Sequence, residues 1–243
     1  MDLSSQAWKL WEAAQSLKCA VSPSVPILYF GDLEAFLRSK VRIVTVGLNP
    51  SLAEFPVESP YLRFPLGKGL TPRLAGQSPE RYLECLSRYY DEEPYTRWFA
   101  SYEPLLNGLD ASYYRGKLHR VLHTDLCSPI ATNPTWSRLE EGEKSQLIEG
   151  GRKLWKNLIE CLDPHLVIAS VARWHIEDVL PPDRKMQVVF TIPRENPYSF
   201  ESCLLGAQRS ARLIFGKAAN TPFGTVSNRD KLRFGTYLKK QYC

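Results

Sequence analysis

Short runs of nearly continuous apolar residues recur along the chain and predict buried strands. Four of these runs stand out: Val41–Val46, Val121–Leu126, His165–Ser170 and Gln187–Ile192. Val, Ile and Leu fill most of their positions, which is typical of parallel strands covered on both faces. The sequence therefore predicts a sheet that is largely shielded from solvent.

Helical periodicity separates these strands. An opening helix has its apolar face at Trp8, Trp11, Ala14 and Leu17, and a long amphipathic helix fits residues 142–162. Further helices are predicted over 79–89, over 95–106 and from a Ser227 cap through Tyr237. Because strands alternate with helical crossovers, we predict an α/β three-layer sandwich with a central, mainly parallel four-stranded sheet flanked by helices. Residues 1–243 form a single domain in this prediction.

Polar segments follow three of the four predicted strands. They are Gly47–Ser51, the stretch from Cys127 to Pro134, and Pro193–Ser199. Ligands of open α/β sheets bind beyond the carboxyl ends of the strands. The first polar segment also leads into a Pro- and Gly-rich stretch from Leu52 to Ser78, and a loop of this length inside a compact domain is usually functional. These segments are therefore the expected site.

Charge is distributed unevenly over the 243 residues. The formal net charge is +5, yet from Pro182 onward the chain carries +7 and the preceding residues carry −2. Eleven basic residues produce this tail: Arg184, Lys185, Arg194, Arg209, Arg212, Lys217, Arg229, Lys231, Arg233, Lys239 and Lys240. Such asymmetry favours an anionic partner, with nucleic acid first. Arg229, Lys231 and Arg233 either contact DNA phosphates or form an ordinary solvated helix face.

Several protein classes lack support in the sequence. No stretch approaches the roughly 20 apolar residues that cross a bilayer, so no membrane partner is expected. The first 20 residues do not have the pattern of a signal peptide. No pair of the six cysteines has the C-x-x-C spacing that a zinc or iron–sulfur site usually needs. We therefore expect a cytoplasmic protein with reduced thiols.

The segment after the first strand reads Gly47-Leu48-Asn49-Pro50-Ser51. Taken alone it is a tight strand-to-loop turn. Its position, with the later strand and a second Asn-Pro segment, resembles the uracil-DNA glycosylase superfamily, and the motif is similar to that of the mismatch-specific and single-strand-selective branches. The resemblance implies that Asn49 holds the hydrolytic water and that Ser51 contacts DNA. An amide oxygen can accept a hydrogen bond from water but is not a strong base.

The resemblance also implies residues that bind the flipped base. An aromatic ring after the motif would stack on the base, and Tyr61 and Phe64 lie at a suitable separation, although either ring could only pack the loop. The Val121–Leu126 strand would read the base through His123, Thr124 or Asp125. Because side chains alternate along a strand, His123 and Asp125 share one face and Thr124 takes the other. The Asp125 carboxylate could accept a hydrogen bond from the amino group of a cytosine-type base. Alternatively, Asp125 could only cap the following turn.

The second motif of the family matches Pro193–Ser199 incompletely, because the segment contains no histidine. Asn196 or Arg194 would then donate to the departing base, and Ser199 would contact DNA. The departure leaves open an altered base, a poorly conserved motif or lost activity. A bulky modified pyrimidine of phage DNA is one such base, and its excision would be antiviral defence rather than DNA repair.

Taken together, these features favour a monofunctional DNA glycosylase that leaves an abasic site by base flipping and hydrolysis. It would act on DNA as a monomer, without metal or organic cofactor. The alternative is a noncatalytic nucleic-acid-binding module on the same fold. A nucleotide hydrolase is less favoured, because the chain has neither a glycine-rich phosphate loop nor clustered acids for Mg²⁺.

Overall fold

The computed structural model describes residues 2–181, 183–205 and 211–242. Arg209, one of the eleven basic residues of the C-terminal part, lies outside the described residues, as does Cys243. Within the described ranges there are nine α-helices. They are α1 (Leu3–Ala14), α2 (Leu33–Arg38), α3 (Pro72–Gln77), α4 (Pro79–Ser87), α5 (Thr96–Phe99), α6 (Glu103–Gly108), α7 (Glu141–Leu162), α8 (Arg173–Glu177) and α9 (Asn228–Tyr242).

Helix caps and apolar faces explain the positions of the longest helices. At the start of α1, the Asp2 side chain accepts a hydrogen bond from the Ser5 amide at 3.0 Å. The predicted Ser227 cap of α9 is confirmed, since its hydroxyl oxygen accepts from the Asp230 amide at 3.1 Å. The predicted long helix corresponds to α7, which buries Leu147, Leu154, Trp155, Leu158 and Ile159.

Seven strands form one mixed sheet. They are β1 (Ile43–Gly47), β2 (Ala111–Ser112), β3 (His119–Asp125), β4 (Leu166–Ala169), β5 (Gln187–Ile192), β6 (Tyr198–Leu204) and β7 (Arg212–Phe215), in the spatial order β2-β3-β1-β4-β7-β6-β5. β4 runs parallel to both β1 and β7, whereas β6 runs antiparallel to both β5 and β7. The α/β class with flanking helices is therefore confirmed, but the prediction of a four-stranded sheet is wrong.

The predicted fourth strand, β5, is an edge strand rather than a central one. It forms an antiparallel hairpin with β6, in which Ile192 pairs with Tyr198, and most of its residues are at least partly exposed. In β6, buried Tyr198 and Phe200 alternate with half-buried Ser199 and Glu201, so its signal has a period of two rather than an apolar run. The second-motif segment is consequently a hairpin turn that continues into β6.

The chain groups into two compact units. The first contains Met1–Glu34, Gly47–Tyr95 and His123–Leu162, and the second contains Ala35–Val46, Thr96–Leu122 and Asp163–Cys243. The chain changes unit within β1 and again within β3. The prediction of one domain over residues 1–243 stays a prediction.

Aromatic rings and glycine contacts build the interior of each unit. In the first unit, the buried Tyr82 hydroxyl donates to the Pro26 carbonyl at 2.8 Å. In the second unit, α6 and α9 pack backbone against backbone, because a Cβ atom on Gly235 would lie 2.0 Å from the Leu105 carbonyl oxygen. None of the helices among the described residues has both the length and the apolar composition that a membrane-spanning segment requires.

Candidate functional site

Gly47, the last residue of β1, is in close contact with two side chains of β3. A Cβ atom at this position would lie 2.5 Å from Asp125 Oδ1 and 3.0 Å from His123 Nε2. The Leu126 amide donates to the Gly47 carbonyl at 3.0 Å, which joins the ends of the two strands. Glycine is therefore needed here for close approach, because any side chain would displace the Asp125 carboxyl.

The Asn49 side chain has a fixed orientation. Its Nδ2 donates to the Pro50 carbonyl at 2.7 Å, to Thr132 Oγ1 at 2.8 Å and to the Ile130 carbonyl at 3.3 Å. The Thr132 hydroxyl donates its own hydrogen to the Pro134 carbonyl at 3.0 Å, so it can only accept from Asn49. Three acceptors thus identify the nitrogen end of the amide. No described residue donates to Oδ1, which leaves this oxygen to accept a hydrogen bond from a ligand or a water.

Asp125 ends β3 and is only 8% exposed. No described residue donates a hydrogen bond to its carboxyl, and His123 Nε2 lies 3.8 Å from Oδ1. Burial, reinforced by the nearby Glu54 carboxylate, raises the pKa of Asp125 well above its ordinary value. The alternative in which Asp125 caps the following turn is wrong, because the amides of Leu126, Cys127 and Ser128 donate to the backbone carbonyls of Gly47 and Leu48 instead.

His123 and Asp125 share one face of β3, as predicted, since both reach Gly47. The His123 ring is buried with its centroid 5.5 Å from that of Phe30, and burial lowers the pKa of His123 to about 3. His123 is therefore neutral at physiological pH. Thr124 points to the opposite face, where its buried hydroxyl oxygen accepts from Trp155 Nε1 of α7 at 3.1 Å. The prediction that Thr124 reads the base is wrong, because its side chain is enclosed in the core.

Glu54 is a site residue that the sequence analysis missed. It lies in a 3₁₀ turn, Leu52–Glu54, and is 5% exposed. Its Oε2 accepts from the Tyr89 hydroxyl at 2.6 Å, and that hydroxyl accepts from the Tyr95 amide at 2.9 Å. Burial raises the pKa of Glu54 to about 7, against the opposing effects of the Tyr89 hydrogen bond and the Arg63 charge. The only sequence signal was an acid enclosed by apolar residues, five positions after Asn49.

The two aromatic candidates differ in accessibility. Phe64 has no exposed surface, because its ring stacks on Phe55 at 5.4 Å between centroids and packs against Tyr89 at 5.2 Å. The prediction of Phe64 as the stacking ring is therefore wrong for this structure. Tyr61 is half-buried, so part of its ring remains accessible.

Ser51 shapes the turn that follows Asn49. Its Oγ accepts from the Ala53 amide at 3.3 Å, and its backbone bridges to Thr132. No described residue accepts a hydrogen bond from the half-buried Ser51 hydroxyl, and its predicted contact with DNA stays a prediction.

In the second unit, the β5–β6 hairpin contains the second-motif residues. Arg194 Nε donates to the Asn196 carbonyl at 2.8 Å, and its Nη1 donates to the Thr225 carbonyl at 2.7 Å. Arg194 therefore ties the hairpin to the loop after β7. The exposed Asn196 side chain makes no hydrogen bond to any described residue, whereas the Ser199 hydroxyl lies 3.2 Å from that of Thr191.

The loop after β7, residues 216–227, was also not predicted from the sequence. The Tyr198 hydroxyl donates to the Lys217 carbonyl at 2.7 Å, and the Phe223 amide donates to Ser170 Oγ at 2.9 Å. These bonds hold the loop while the Lys217 and Asn220 side chains remain exposed. Its residues have no apolar period, which is why periodicity did not reveal it.

The three basic candidates of α9 do not share one environment. Lys231 is 4% exposed, and its Nζ donates to the Ser101 carbonyl at 2.9 Å and to the Pro222 carbonyl at 3.3 Å. The prediction that Lys231 binds DNA is wrong, because its ammonium group is buried and donates hydrogen bonds to two backbone carbonyls. Arg229 and Arg233 are exposed, and Arg233 lies over the Phe190 ring at 5.4 Å.

Two further observations bear on function. Among the described residues, no group of three or more His, Cys, Asp or Glu side chains is placed to hold a metal ion. No protein-family model matches the chain, and no curated protein matches its sequence significantly. A functional assignment therefore depends on the site geometry and on the motif resemblance.

Proposed function

We propose that the protein is a monofunctional DNA glycosylase, similar to the uracil-DNA glycosylase superfamily, that hydrolyses the N-glycosidic bond of a flipped nucleotide. One observation supports the proposal: the amide of Asn49 is held through its nitrogen, and no described residue donates a hydrogen bond to its oxygen. An oxygen held in this way can orient a water molecule for attack.

The proposed reaction suits an amide rather than a strong base. If the glycosidic bond breaks first, the sugar becomes cationic, and a weak nucleophile such as water can then add. Asn49 has to position this water rather than deprotonate it, and positioning supplies much of the catalysis in such steps. Rotation of the amide would break the hydrogen bonds of Nδ2 to these acceptors, which favours the observed orientation.

Asp125 and Tyr61 are the proposed base-binding residues. A protonated Asp125 carboxyl offers one donor and one acceptor, which can pair with adjacent polar atoms on a pyrimidine edge. The neutral His123 beside it adds no positive charge. The accessible part of Tyr61 would stack on the base, an interaction worth roughly 1–3 kcal/mol. This stacking offsets part of the few kcal/mol that base flipping costs.

Residues of the second unit are the proposed DNA contacts. Asn196, Ser199, Arg229 and Arg233 present polar or basic groups, and Lys217 adds an exposed ammonium. Phosphate contacts position a protein without reading sequence. The protein would act as a monomer in the cytoplasm, and either DNA repair or defence against phage with modified bases fits this proposal.

The test is abasic-site formation by the purified full chain. Single- and double-stranded DNA containing uracil, hypoxanthine, cytosine or 5-substituted cytosines is incubated with protein, and abasic sites are detected by alkaline cleavage. We expect cleavage at one class of base, and a loss on the order of 100-fold in Asn49→Ala, because the water loses its position. Asn157→Ala, which changes an amide on α7, is the control and should retain activity.

A different result would favour the noncatalytic module. If the protein binds DNA but forms no abasic site on any substrate, and Asn49→Ala binds equally well, the glycosylase proposal is wrong.

A further inference from the structure

Basic side chains gather in the second unit where its parallel strands begin. β1, β4 and β7 run parallel, so the residues at their amino ends lie side by side. We propose that this end of the unit is a second nucleic-acid-binding surface, which holds a DNA segment other than the one at the loop after β7. That it is a second surface rests on the proposed function, whereas the surface itself does not. The amino-end surface is defined by six basic residues: Lys40, Arg42, Lys117, Arg212, Lys239 and Lys240.

Backbone hydrogen bonds place Arg42, His165 and Arg212 in one row across three strands. The His165 amide donates to the Arg42 carbonyl at 2.8 Å, and the Arg212 amide donates to the His165 carbonyl at 2.9 Å. The Arg42 amide in turn donates to His165 Nδ1 at 3.1 Å, which ties the imidazole to the start of β1. Since neighbouring strands lie about 4.8 Å apart, the backbones of Arg42 and Arg212 are about 10 Å from each other.

The start of β3 extends this row on the other side of β1. The Arg120 amide donates to Ser39 Oγ at 2.9 Å, which joins the second residue of β3 to the turn before β1. Lys40 follows Ser39 directly, and Lys117 lies just before β3. Both lysine side chains are exposed, and no described residue forms a hydrogen bond or an ion pair with either ammonium group.

The last turns of α9 reach the same end of the unit. The Lys239 ammonium pairs with Asp110 Oδ2, and the Asp110 carbonyl accepts from the first amide of β3 at 3.1 Å. The Arg212 guanidinium lies over the Tyr242 ring at 4.5 Å. Lys240, between these two contacts along α9, is exposed. The helix therefore adds two ammonium groups to the row of strand starts.

The two aspartates that contact this surface are already paired. Asp163 Oδ2 lies 2.9 Å from Nη2 of Arg42, and Asp110 pairs with Lys239. Six basic residues and two aspartates give the amino-end surface a net charge of +4 when its histidines are neutral. The other four basic residues have no acidic partner among the described residues. A surface with this excess of positive charge attracts an anionic partner.

The arrangement fits a nucleic-acid backbone. Strand starts in the order β3-β1-β4-β7 give a row of about 14 Å, which matches roughly four base pairs of a duplex. The exposed lysines Lys40, Lys117 and Lys240 can contact phosphates along such a row without reading sequence. Leu118, exposed beside Lys117, would also suit an anionic lipid surface, so vesicles enter the test as the competing partner.

DNA at the amino-end surface is a different segment from DNA at the loop after β7. Arg212 begins β7 and the loop follows Phe215 at its other end, so the two surfaces lie at opposite ends of one strand. Because these ends face in opposite directions, a short straight duplex on one end cannot reach the other. Two bound segments would let the protein pass from one DNA to another without release into solution.

The test counts the short duplexes that one protein molecule binds. An unmodified duplex of about one helical turn is titrated into the full chain at low salt, and the stoichiometry is measured by sedimentation velocity. We expect two duplexes per wild-type molecule. The combined variant Lys40→Gln/Lys117→Gln/Lys240→Gln should bind one duplex, with at least a tenfold loss of affinity for the other, because about three phosphate contacts are removed.

A matched control separates the location of the charges from their number. The combined variant Lys9→Gln/Lys153→Gln/Lys156→Gln removes the same charge from exposed positions of α1 and α7 in the first unit. It should bind two duplexes, as the wild type does. If the control lost as much binding as the amino-end variant, net charge alone would explain the effect and the proposed surface would be wrong.

The remaining outcomes distinguish this surface from the proposed function. If the wild type binds one duplex and the amino-end variant none, the surface stands and the DNA contacts proposed at the loop after β7 are wrong. Equal stoichiometry and affinity in wild type and variant, including no binding by either, would overturn the surface, whatever abasic-site formation shows. It would also be overturned if the variant kept its DNA binding but lost binding to vesicles of equal parts phosphatidylcholine and phosphatidylserine, which would assign these lysines to anionic lipid.

Discussion

Replacement of Gly47 by alanine tests the closest contact of the site. The new methyl group would lie 2.5 Å from Asp125 Oδ1 and 3.0 Å from His123 Nε2, both well inside van der Waals contact. Neither side chain can move away easily, because both are almost fully buried. Overpacking of this kind costs roughly 1–3 kcal/mol, and the carboxyl must shift to relieve it. Since a displacement of about 1 Å can cost 100-fold in rate, we expect activity to fall more than stability.

Two measurements check this expectation. Urea unfolding should show a decrease of roughly 1–3 kcal/mol in the free energy of unfolding of Gly47→Ala. Abasic-site formation, measured where the variant is fully folded, should slow on the order of 100-fold. The control is Gly76→Ala in α3, where a Cβ atom meets nothing within 4 Å. Wild-type stability and rate in Gly47→Ala would refute the close approach of the β3 side chains to β1.

Three further predictions concern charged groups. Lys231→Met should lower the free energy of unfolding by roughly 1–3 kcal/mol, because two buried carbonyls lose their donor, without changing the salt dependence of DNA binding. Arg229→Gln should leave the free energy of unfolding nearly unchanged. It should reduce by about one the slope of the logarithm of the DNA-binding constant against the logarithm of the salt concentration. Because the pKa of Glu54 is raised from 4.5 to about 7, the folded state binds more protons, so stability should fall as pH rises through this window. The drop in melting temperature between those pH values should be smaller in Glu54→Gln than in wild type, and an equal drop would contradict this reasoning.

The sequence predicted the parts of the site that local pattern determines. β1 and β3 are apolar runs with abrupt polar ends, so their positions and the alternation of His123, Thr124 and Asp125 could be inferred. Gly47 and Asn49 follow β1 at a turn that their residue types favour. By contrast, β6 has an alternating pattern in which Ser and Glu interrupt the apolar positions, and it was not distinguished from a loop.

The environment of individual polar side chains could not be inferred in this way. Burial of Glu54 depends on Tyr89, which lies 35 residues away along the chain, and burial of Lys231 depends on the Ser101 carbonyl. Phe64 was predicted as a ring that could stack on a base, yet its neighbours Phe55 and Tyr89 enclose it. Tertiary contacts of this kind decide which polar and aromatic groups face a ligand, and periodicity carries no information about them.

The three acceptors around Asn49 Nδ2 also limit how this site could change. An aspartate at this position would direct an oxygen at the Pro50 and Ile130 carbonyls and at the Thr132 hydroxyl, whose hydrogen is already donated to Pro134. A carboxylate would therefore meet repulsion where the amide forms hydrogen bonds. A change from amide to acid at residue 49 requires prior substitutions in the segment around Thr132. Evolution or design of an acid-dependent enzyme from this scaffold would have to begin there.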